Sequence, residues 1–321
     1  MEASNISDRI AAGQRRWKLR KAIDIIARRV VQIGGISVIA AIALIFLFLL
    51  SVVYPLFGQP SIDEIGQYQT PGTNDKTIYL AIEEQAEIGL RVGDSGSVLF
   101  FDVENGEPIL ERNLPIAADN SITSFRVVNE TSGLLAVGLH SGELLFFQHN
   151  YELEFTETSR IIHPDILYPY GEDAFHVAEG PLLDFAIGSN EDSTTIIART
   201  TDGKIVFQSF EKESSFIDEA TTLEIGDRNQ IITVDPILGL LVDPEQEWAY
   251  ILTQDGSLSA YDIRENDFNL REKVQVTEGD VHPTLLKFLT GGISILIGDS
   301  SGNLSQWFQV RSDGDLEFRL D

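Results

Sequence analysis

Five segments of this chain repeat one order: an apolar strand, a tight turn containing glycine, and a second apolar strand. They are GLRVGDSGSVLFFDVENGE (89–107), LLAVGLHSGELLFFQHN (134–150), IIARTTDGKIVFQSF (196–210), AYILTQDGSLSAYDI (249–263) and ILIGDSSGNLSQWFQV (295–310). The turn glycines are Gly96, Gly142, Gly203, Gly256 and Gly302, each preceded by Ser or Asp. That pairing supplies the positive-φ geometry a short β-hairpin needs. Two positions after each glycine stands an aliphatic residue, Val98, Leu144, Ile205, Leu258 or Leu304. Five positions after it stands Phe101, Phe147, Gln208, Tyr261 or Trp307.

A lone two-stranded hairpin is marginal in water, so five hairpins in one register must cover one another. Successive turn glycines lie 46, 61, 53 and 46 residues apart, near the roughly 40–50 residues of a four-stranded propeller blade. Weaker strands between the hairpins, such as SITSFRVV (121–128) and LLDFAIG (182–188), fall where the inner strand of a blade belongs. Residues from about 65 to 321 therefore read as all-β and β-propeller-like, with WD-repeat-like blades and at least five hairpin motifs. A β-sandwich or an irregular β-solenoid is the competing arrangement. The 61-residue interval holds a long insert, Asn150–Gly180, expected as a surface loop on one rim. No closing strand is apparent near Phe318-Arg319-Leu320-Asp321, so an incomplete ring is expected.

The hairpin region is preceded by a stretch of different character. No charged residue occurs from Val30 to Ile62, and Ile33–Phe57 is almost wholly apolar. At about 1.5 Å per residue this run makes a helix slightly longer than the roughly 30 Å hydrocarbon core of a bilayer. Tyr54 and Pro55 suit the far interface, where aromatic rings sit at headgroup depth and the helix can stop. A cleaved secretory signal would share the basic-apolar-polar order, but the basic region is long and no small-x-small site follows in SVVYPLFGQPS. The pattern is that of an uncleaved signal-anchor. Residues 1–29 carry eight basic residues against Glu2, Asp8 and Asp24, leaving 15 basic and 47 acidic residues for the rest of the chain, a net of −32. The positive-inside rule then gives a basic cytoplasmic tail (1–29), a transmembrane helix (30–57) and an acidic external domain (58–321). Arg15–Arg29 reads as a basic helix that would lie on anionic headgroups.

The charge balance excludes a nucleic-acid binder, which needs a basic face. The absence of cysteine excludes a disulfide framework, thiolate zinc sites and a cysteine nucleophile. Gly93-Asp94-Ser95-Gly96 is the tetrapeptide around the nucleophile of chymotrypsin-like proteases, but all five histidines follow Ser95, and hairpin geometry already accounts for these residues. His163, Asp165 and His176 offer imidazole and carboxylate ligands for zinc, without a short ligand-pair spacing. Asp313-Gly314-Asp315 lacks the alternating oxygen ligands of an EF-hand. No phosphate-binding P-loop or Gly-x-Ser-x-Gly elbow occurs. No residue is assigned as catalytic, cofactor-binding or metal-ligating, and neither an enzyme nor a cofactor is expected. A hydrolase built on the propeller is the least supported reading.

Arg15–Arg29 followed by VQIGGISVI (31–39), ALIFLF (43–48) and VVYPLF (52–57) resembles the N-terminal end of the PstC-type permease subunit of the bacterial phosphate ABC transporter. The similarity is to the long gammaproteobacterial form, in which a periplasmic domain of propeller-like repeats follows the first membrane helix. It is specific over residues about 15–57 and architectural from 58 to 321. The resemblance implies an inner-membrane protein with a cytoplasmic N-terminus and most of its chain periplasmic. Its partners would be the membrane and the other subunits of a phosphate importer: a second permease, a cytoplasmic ATPase and a periplasmic phosphate-binding protein. The further membrane helices of a permease have no counterpart in residues 58–321, so the expectation is the N-terminal part of a longer product, and no permease site residue carries over. The alternative is a self-contained, membrane-anchored β-propeller scaffold or sensor of the envelope with no transport role.

Overall fold

The computed structural model describes residues 2–58, 67–72, 74–156, 159–214, 221–232, 236–264, 268–312 and 315–320, with side chains described from residue 23 to residue 310 apart from Ser214. The chain divides into two compact units, residues 1–65 and 66–321.

The first unit is one helix, α1 (Glu2–Val53), followed by a short 3-10 turn over Tyr54–Phe57 with Pro55 in its first positions. The proline ends the α-helix because it lacks the N–H that would continue the ladder. The expected basic helix and the expected span are thus one continuous element. Residues Ile23–Phe57 have a mean hydropathy of 3.1 in their most apolar window, of which none is buried. Gly34 and Gly35 have open space where a Cβ would stand.

The second unit is built from five antiparallel sheets, each with its strands in sequence order. Blade 1 comprises β1 (Thr77–Ile82), β2 (Ile88–Gly93), β3 (Ser97–Asp102) and β4 (Pro108–Asn113). Blade 2 comprises β5 (Ile122–Asn129), β6 (Leu134–Leu139), β7 (Glu143–Phe155) and β8 (Arg160–Leu167), with the two-residue β9 (Phe175–His176) paired to the start of β7. Blade 3 comprises β10 (Leu182–Ser189), β11 (Ser193–Thr200), β12 (Lys204–Ser214) and β13 (Thr221–Ile232). Blade 4 comprises β14 (Ile237–Val242), β15 (Trp248–Thr253), β16 (Ser257–Asp262) and β17 (Asn269–Gln275). Blade 5 comprises β18 (Pro283–Phe288), β19 (Ile295–Asp299), β20 (Leu304–Ser312) and β21 (Asp315–Leu320).

Each repeated hairpin forms the two middle strands of a blade, and its turn glycine has φ between +76° and +91°. A Cβ at Gly142 would lie 1.8 Å from the carbonyl oxygen of Ala178, so this turn needs glycine for space as well as for φ. The expected inner strands fall within β5 and β10, which adjoin each other. Every residue of β2, β6 and β15 is buried, because both faces of a middle strand are covered.

The cores lie between blades. Blades 1 and 2 meet through Leu90, Val98, Phe100, Leu135 and Phe147, and blades 2 and 3 through Ala136, Phe146, Ile196 and Val206. Blades 3 and 4 meet through Ile197, Ile205, Phe207 and Ile251, and blades 4 and 5 through Trp248, Leu252, Leu258, Ile297 and Trp307. The repeat explains this pattern. The aliphatic residue two past the turn glycine faces the following blade, as Val98, Leu144, Ile205 and Leu258 do. The residue five past it faces the preceding blade, as Phe147, Tyr261 and Trp307 do. Gln208, the polar exception, is buried with its Nε2 donating to the carbonyls of Ser209, Gly226 and Asp227.

Among the described residues four such cores join five sheets, and none joins blade 5 to blade 1. The insert expected as a rim loop is different from that expectation. Most of residues 150–167 extend β7 and form β8, and only the stretch after Leu167 is irregular. RIIHPDIL alternates between buried and exposed positions, and Pro164 is accommodated because β8 is an outer strand that pairs with β7 alone.

Candidate functional site

The inner strands β5, β10, β14 and β18 adjoin one another in series and line a cavity of about 500 Å3. Its wall is mainly aliphatic, with Ala186, Leu240 and Leu286 among its members, and its charged lining residues are Arg126, Glu130 and Lys287. Arg126 reaches across from blade 2 to pair with Asp184 of blade 3. Burial raises the Asp184 carboxyl, and the Arg126 guanidinium and the Phe185 amide partly offset this. Lys287 makes no ion pair among the described residues. Close approach of blades 4 and 5 here depends on glycine, since a Cβ on Gly239 would already touch Leu286 at 3.3 Å.

A second cavity, about 380 Å3, opens between blades 1 and 2. Glu83, Glu84 and Gln85 come from the turn after β1, Glu130–Gly133 from the turn after β5, and His149, Asn150, Tyr151 and Leu153 from β7. These turns share a geometry that no residue type announces. The fourth residue of each has positive φ: Ala86 and Gln246 at 58° and 60°, Gly133 and Gly292 at 71° and 72°. Glu83 is folded into its turn, its carboxylate accepting the amides of Gln85 at 2.7 Å and Glu87 at 2.8 Å. Burial and the charge of Glu83 raise the Tyr151 hydroxyl well above its usual value, and burial lowers His149. Neutral imidazole and neutral phenol therefore face each other here, with ring centroids 5.5 Å apart.

A third cluster surrounds Ser95. Tyr68, Gly72 and Asp75 lie on the face of blade 1 turned away from blade 2. Tyr68 stacks edge-on to Phe101 with ring centroids 6.3 Å apart and donates its hydroxyl to Val103 O at 3.0 Å. Asp75 accepts Arg91 Nη2 at 2.8 Å, Ser95 Oγ at 2.5 Å and Ser97 Oγ at 2.8 Å. Arg91 Nε donates to Thr77 Oγ1 at 2.8 Å. The guanidinium is 3% exposed and the Asp75 carboxylate 10%, so this is a buried pair. Ser95 donates to the Asp75 carboxylate, and no histidine hydrogen-bonds to it among the described residues.

His163, Asp165 and His176 are not brought together as a ligand set. His163 and Asp165 stand on β8, His163 2.8 Å from Glu154 and Asp165 3.8 Å from Arg112. His176 on β9 lies 3.3 Å from Glu179. Among the described residues no group of three His, Cys, Asp or Glu could hold a metal ion. Asp313 and Gly314 lie outside the described residues, and the side chain of Asp315 does too.

Some cations of this acidic unit bridge blades, while Arg91, Lys204, Arg264 and Arg271 pair with Asp75, Asp202 and Asp262 without crossing to another blade. Arg160 of blade 2 pairs with Glu87 of blade 1, Arg112 of blade 1 with Asp165 of blade 2, and Arg126 of blade 2 with Asp184 of blade 3. Arg199 of blade 3 donates to Ile237 O of blade 4 at 2.5 Å. Carboxylates such as Glu84, Glu104, Glu130 and Glu191 stand exposed.

No protein-family model matches this chain, and no curated protein does. Among solved structures it is similar to the Myceliophteria thermophila Cps50 (Swd1) β-propeller domain, with 10% identity and a TM-score of 0.45 over 78% of this chain and 72% of that one. It is similar to BamB from Moraxella catarrhalis, with 16% identity and a TM-score of 0.42 over 76% of this chain and 63% of that one. It is also similar to the Dos1 propeller, with 12% identity and a TM-score of 0.48 over 76% of this chain and 59% of that one. The chain thus spans about six-tenths of the length of the last two. Its own five antiparallel sheets, packed face to face through four cores, make it a β-propeller-like chain preceded by one long apolar helix.

Proposed function

We propose that this chain is a membrane-anchored β-propeller scaffold of the bacterial envelope, with residues 1–29 cytoplasmic, α1 inserted through the inner membrane and the acidic propeller in the periplasm. The observation that carries this reading is the apolar stretch Ile23–Phe57, none of whose most apolar window is buried. Apolar surface of this length finds cover in lipid at roughly 25 cal/mol per Å2 buried. The basic residues on its N-terminal side support the orientation. The propeller contributes a rigid acidic surface for holding a partner, and its cavities serve binding in place of chemistry.

A narrower reading makes the same chain the first span and periplasmic insert of a phosphate ABC importer permease, working with a second permease, a cytoplasmic ATPase and a periplasmic phosphate-binding protein. The likeness of residues 15–57 to that family is what favours it. One experiment separates the two. In source cells, residues 65–321 are deleted and phosphate uptake is measured under phosphate limitation. The scaffold reading expects uptake unchanged, and the permease reading expects a loss. Alkaline-phosphatase fusions after residue 58 check the topology, with periplasmic activity expected. Release of the intact chain by carbonate washing would sink both readings.

A further inference from the structure

Blade 5 presents a face that matches the covered faces of the other blades and is uncovered among the described residues. Strand register fixes its members. Ile295 and Ile297 of β19 and Trp307 of β20 pack on blade 4, and side chains alternate along a strand, so Leu296, Leu304, Gln306 and Phe308 point the other way. Pairing of Leu285 with Gly298 and of Lys287 with Leu296 puts those two β18 residues on the same face. In blades 1 to 4 the positions equivalent to Leu296 are Leu90, Ala136, Ile197 and Tyr250. All four are buried in the core toward the next blade. Here Leu285 and Leu304 are exposed, and Leu296 and Phe308 are half-buried.

The same blade lacks the charge of its neighbours. Residues 77–113, 122–167, 182–232 and 237–275 hold 2 basic against 8 acidic residues, 2 against 6, 4 against 10 and 3 against 8. Residues 283–320 hold 3 against 4, and within 283–310 the charged residues are Lys287 and Asp299 alone. Asp299 is folded into its turn, accepting the amides of Ser301 at 2.8 Å and Asn303 at 3.0 Å. Lys287 stands on the inner edge strand, where a long stem can carry its ammonium clear of a contact. Apolar surface depleted of charge is the composition of an interface core. Contact between two copies through blades 1 to 4 would set acid against acid, whereas two blade 5 faces meet without that repulsion. A head-to-tail contact onto blade 1 meets a face already covered by Tyr68 and the Asp75–Arg91 pair. The same patch on both copies, by contrast, closes as a two-fold dimer. We propose that two copies of this chain pair through the face of blade 5 that carries Leu285, Leu296, Leu304 and Phe308.

The test uses the full chain in mild detergent, where the absence of native cysteine makes single-cysteine crosslinking clean. Sedimentation should show monomer and dimer in equilibrium with a dissociation constant on the order of micromolar, so that Leu304 meets solvent when the chain is dilute. Leu304→Arg sets a charge on the face and should weaken pairing about tenfold or more. Because Leu304 is exposed in the single chain, thermal unfolding of the dilute variant should match that of the native protein. Leu304→Cys should yield a homodimer with a short bismaleimide, and Glu104→Cys, on the exposed surface of blade 1, should not. The proposal is overturned by a chain that stays monomeric at about 100 μM, by a dimer that Leu304→Arg leaves intact, as one held through α1 would be, or by equal crosslinking at both cysteines. It is overturned equally if a photoreactive label on Leu304→Cys captures a different protein in source membranes and no second copy.

Discussion

In blade 1 no sheet among the described residues packs on the residue five past the turn glycine, Phe101, and the Tyr68 ring packs there. In blade 5 no sheet among the described residues packs on the residue two past the turn glycine, Leu304, which stands 63% exposed. The equivalent residues Val98, Leu144, Ile205 and Leu258 are all 0% exposed. Among the described residues the same repeat position is therefore covered in blade 1 by Tyr68 and Asp75 and exposed in blade 5. A propeller face does not need a whole blade to cover it. The Tyr68 ring and the Asp75–Arg91 pair cover this face of blade 1, whose β2 and β3 are buried, whereas β20 begins exposed although its sequence matches the repeat.

The largest effect should come from cutting the cover at the closed end. Asp75→Ala leaves the Arg91 guanidinium buried without its carboxylate, a loss of about 3–5 kcal/mol, and also frees Ser95 and Ser97. Chemical denaturation of the full chain should show this loss, with the early exposure of blade 1 reported by hydrogen exchange in β2 and β3. A loss below about 1 kcal/mol would place the pair among weak surface bridges and would remove the contrast between the two ends.

The contrast can be sharpened by truncating the same repeat position in two blades. Leu258→Ala opens a hole between blades 4 and 5 and should cost about 2–5 kcal/mol. Leu304→Ala removes a side chain already in solvent and should change stability by about 0.5 kcal/mol or less. Equal costs would mean that Leu304 is covered in solution, and the bare end would have to be redrawn as an occupied one.

The repeat was legible because its glycines meet a demand that only a few residues satisfy. Gly96, Gly142, Gly203, Gly256 and Gly302 all take positive φ, and the positions two and five beyond them report which neighbouring blade is faced. The helix was legible from its uncharged length, and its end from Pro55. The cover on blade 1 was not, since Tyr68 and Asp75 follow no period and their partners Phe101 and Arg91 belong to a different part of the chain. Residues 150–167 were read as a loop because Pro164 and the tyrosines obscured an alternation that only an outer strand tolerates. The cleft between blades 1 and 2 takes its lining from two turns and three strands, with glycine at the positive-φ position of one turn and Ala86 at that of the other. No spacing in the sequence could have joined Glu84, Glu130 and Tyr151. The Ser95 tetrapeptide shows the reverse case, a familiar pattern whose hydroxyl proves to be bound to Asp75.

A smaller effect should distinguish the two ends by pH. Asp243 sits in the turn after β14, which packs on the turn of blade 5, where a Cβ on Gly292 would meet the Pro244 ring at 2.4 Å. Burial raises its carboxyl to about 6, against the pull of the Trp248 and Glu247 amides and with help from the charges of Glu245 and Glu247. Below the unfolded value of 3.8 both states hold the proton, and between 3.8 and about 6 only the folded state does. Stability at this turn is therefore full in acid and falls as pH rises through that window, by at most about 3 kcal/mol. Asp243→Asn keeps an oxygen for the two amides and carries no charge, so its stability should lack this fall. Hydrogen exchange followed from pH 4 to pH 7, about the range over which the carboxyl ionises, should show β14, β15 and β19 loosening in the native protein and not in the variant. Strands β2 and β3 beside the Asp75 pair should show no such step. If they loosened with the same midpoint, blades 1 and 5 would be opening as one cooperative unit, and the contrast between them would disappear.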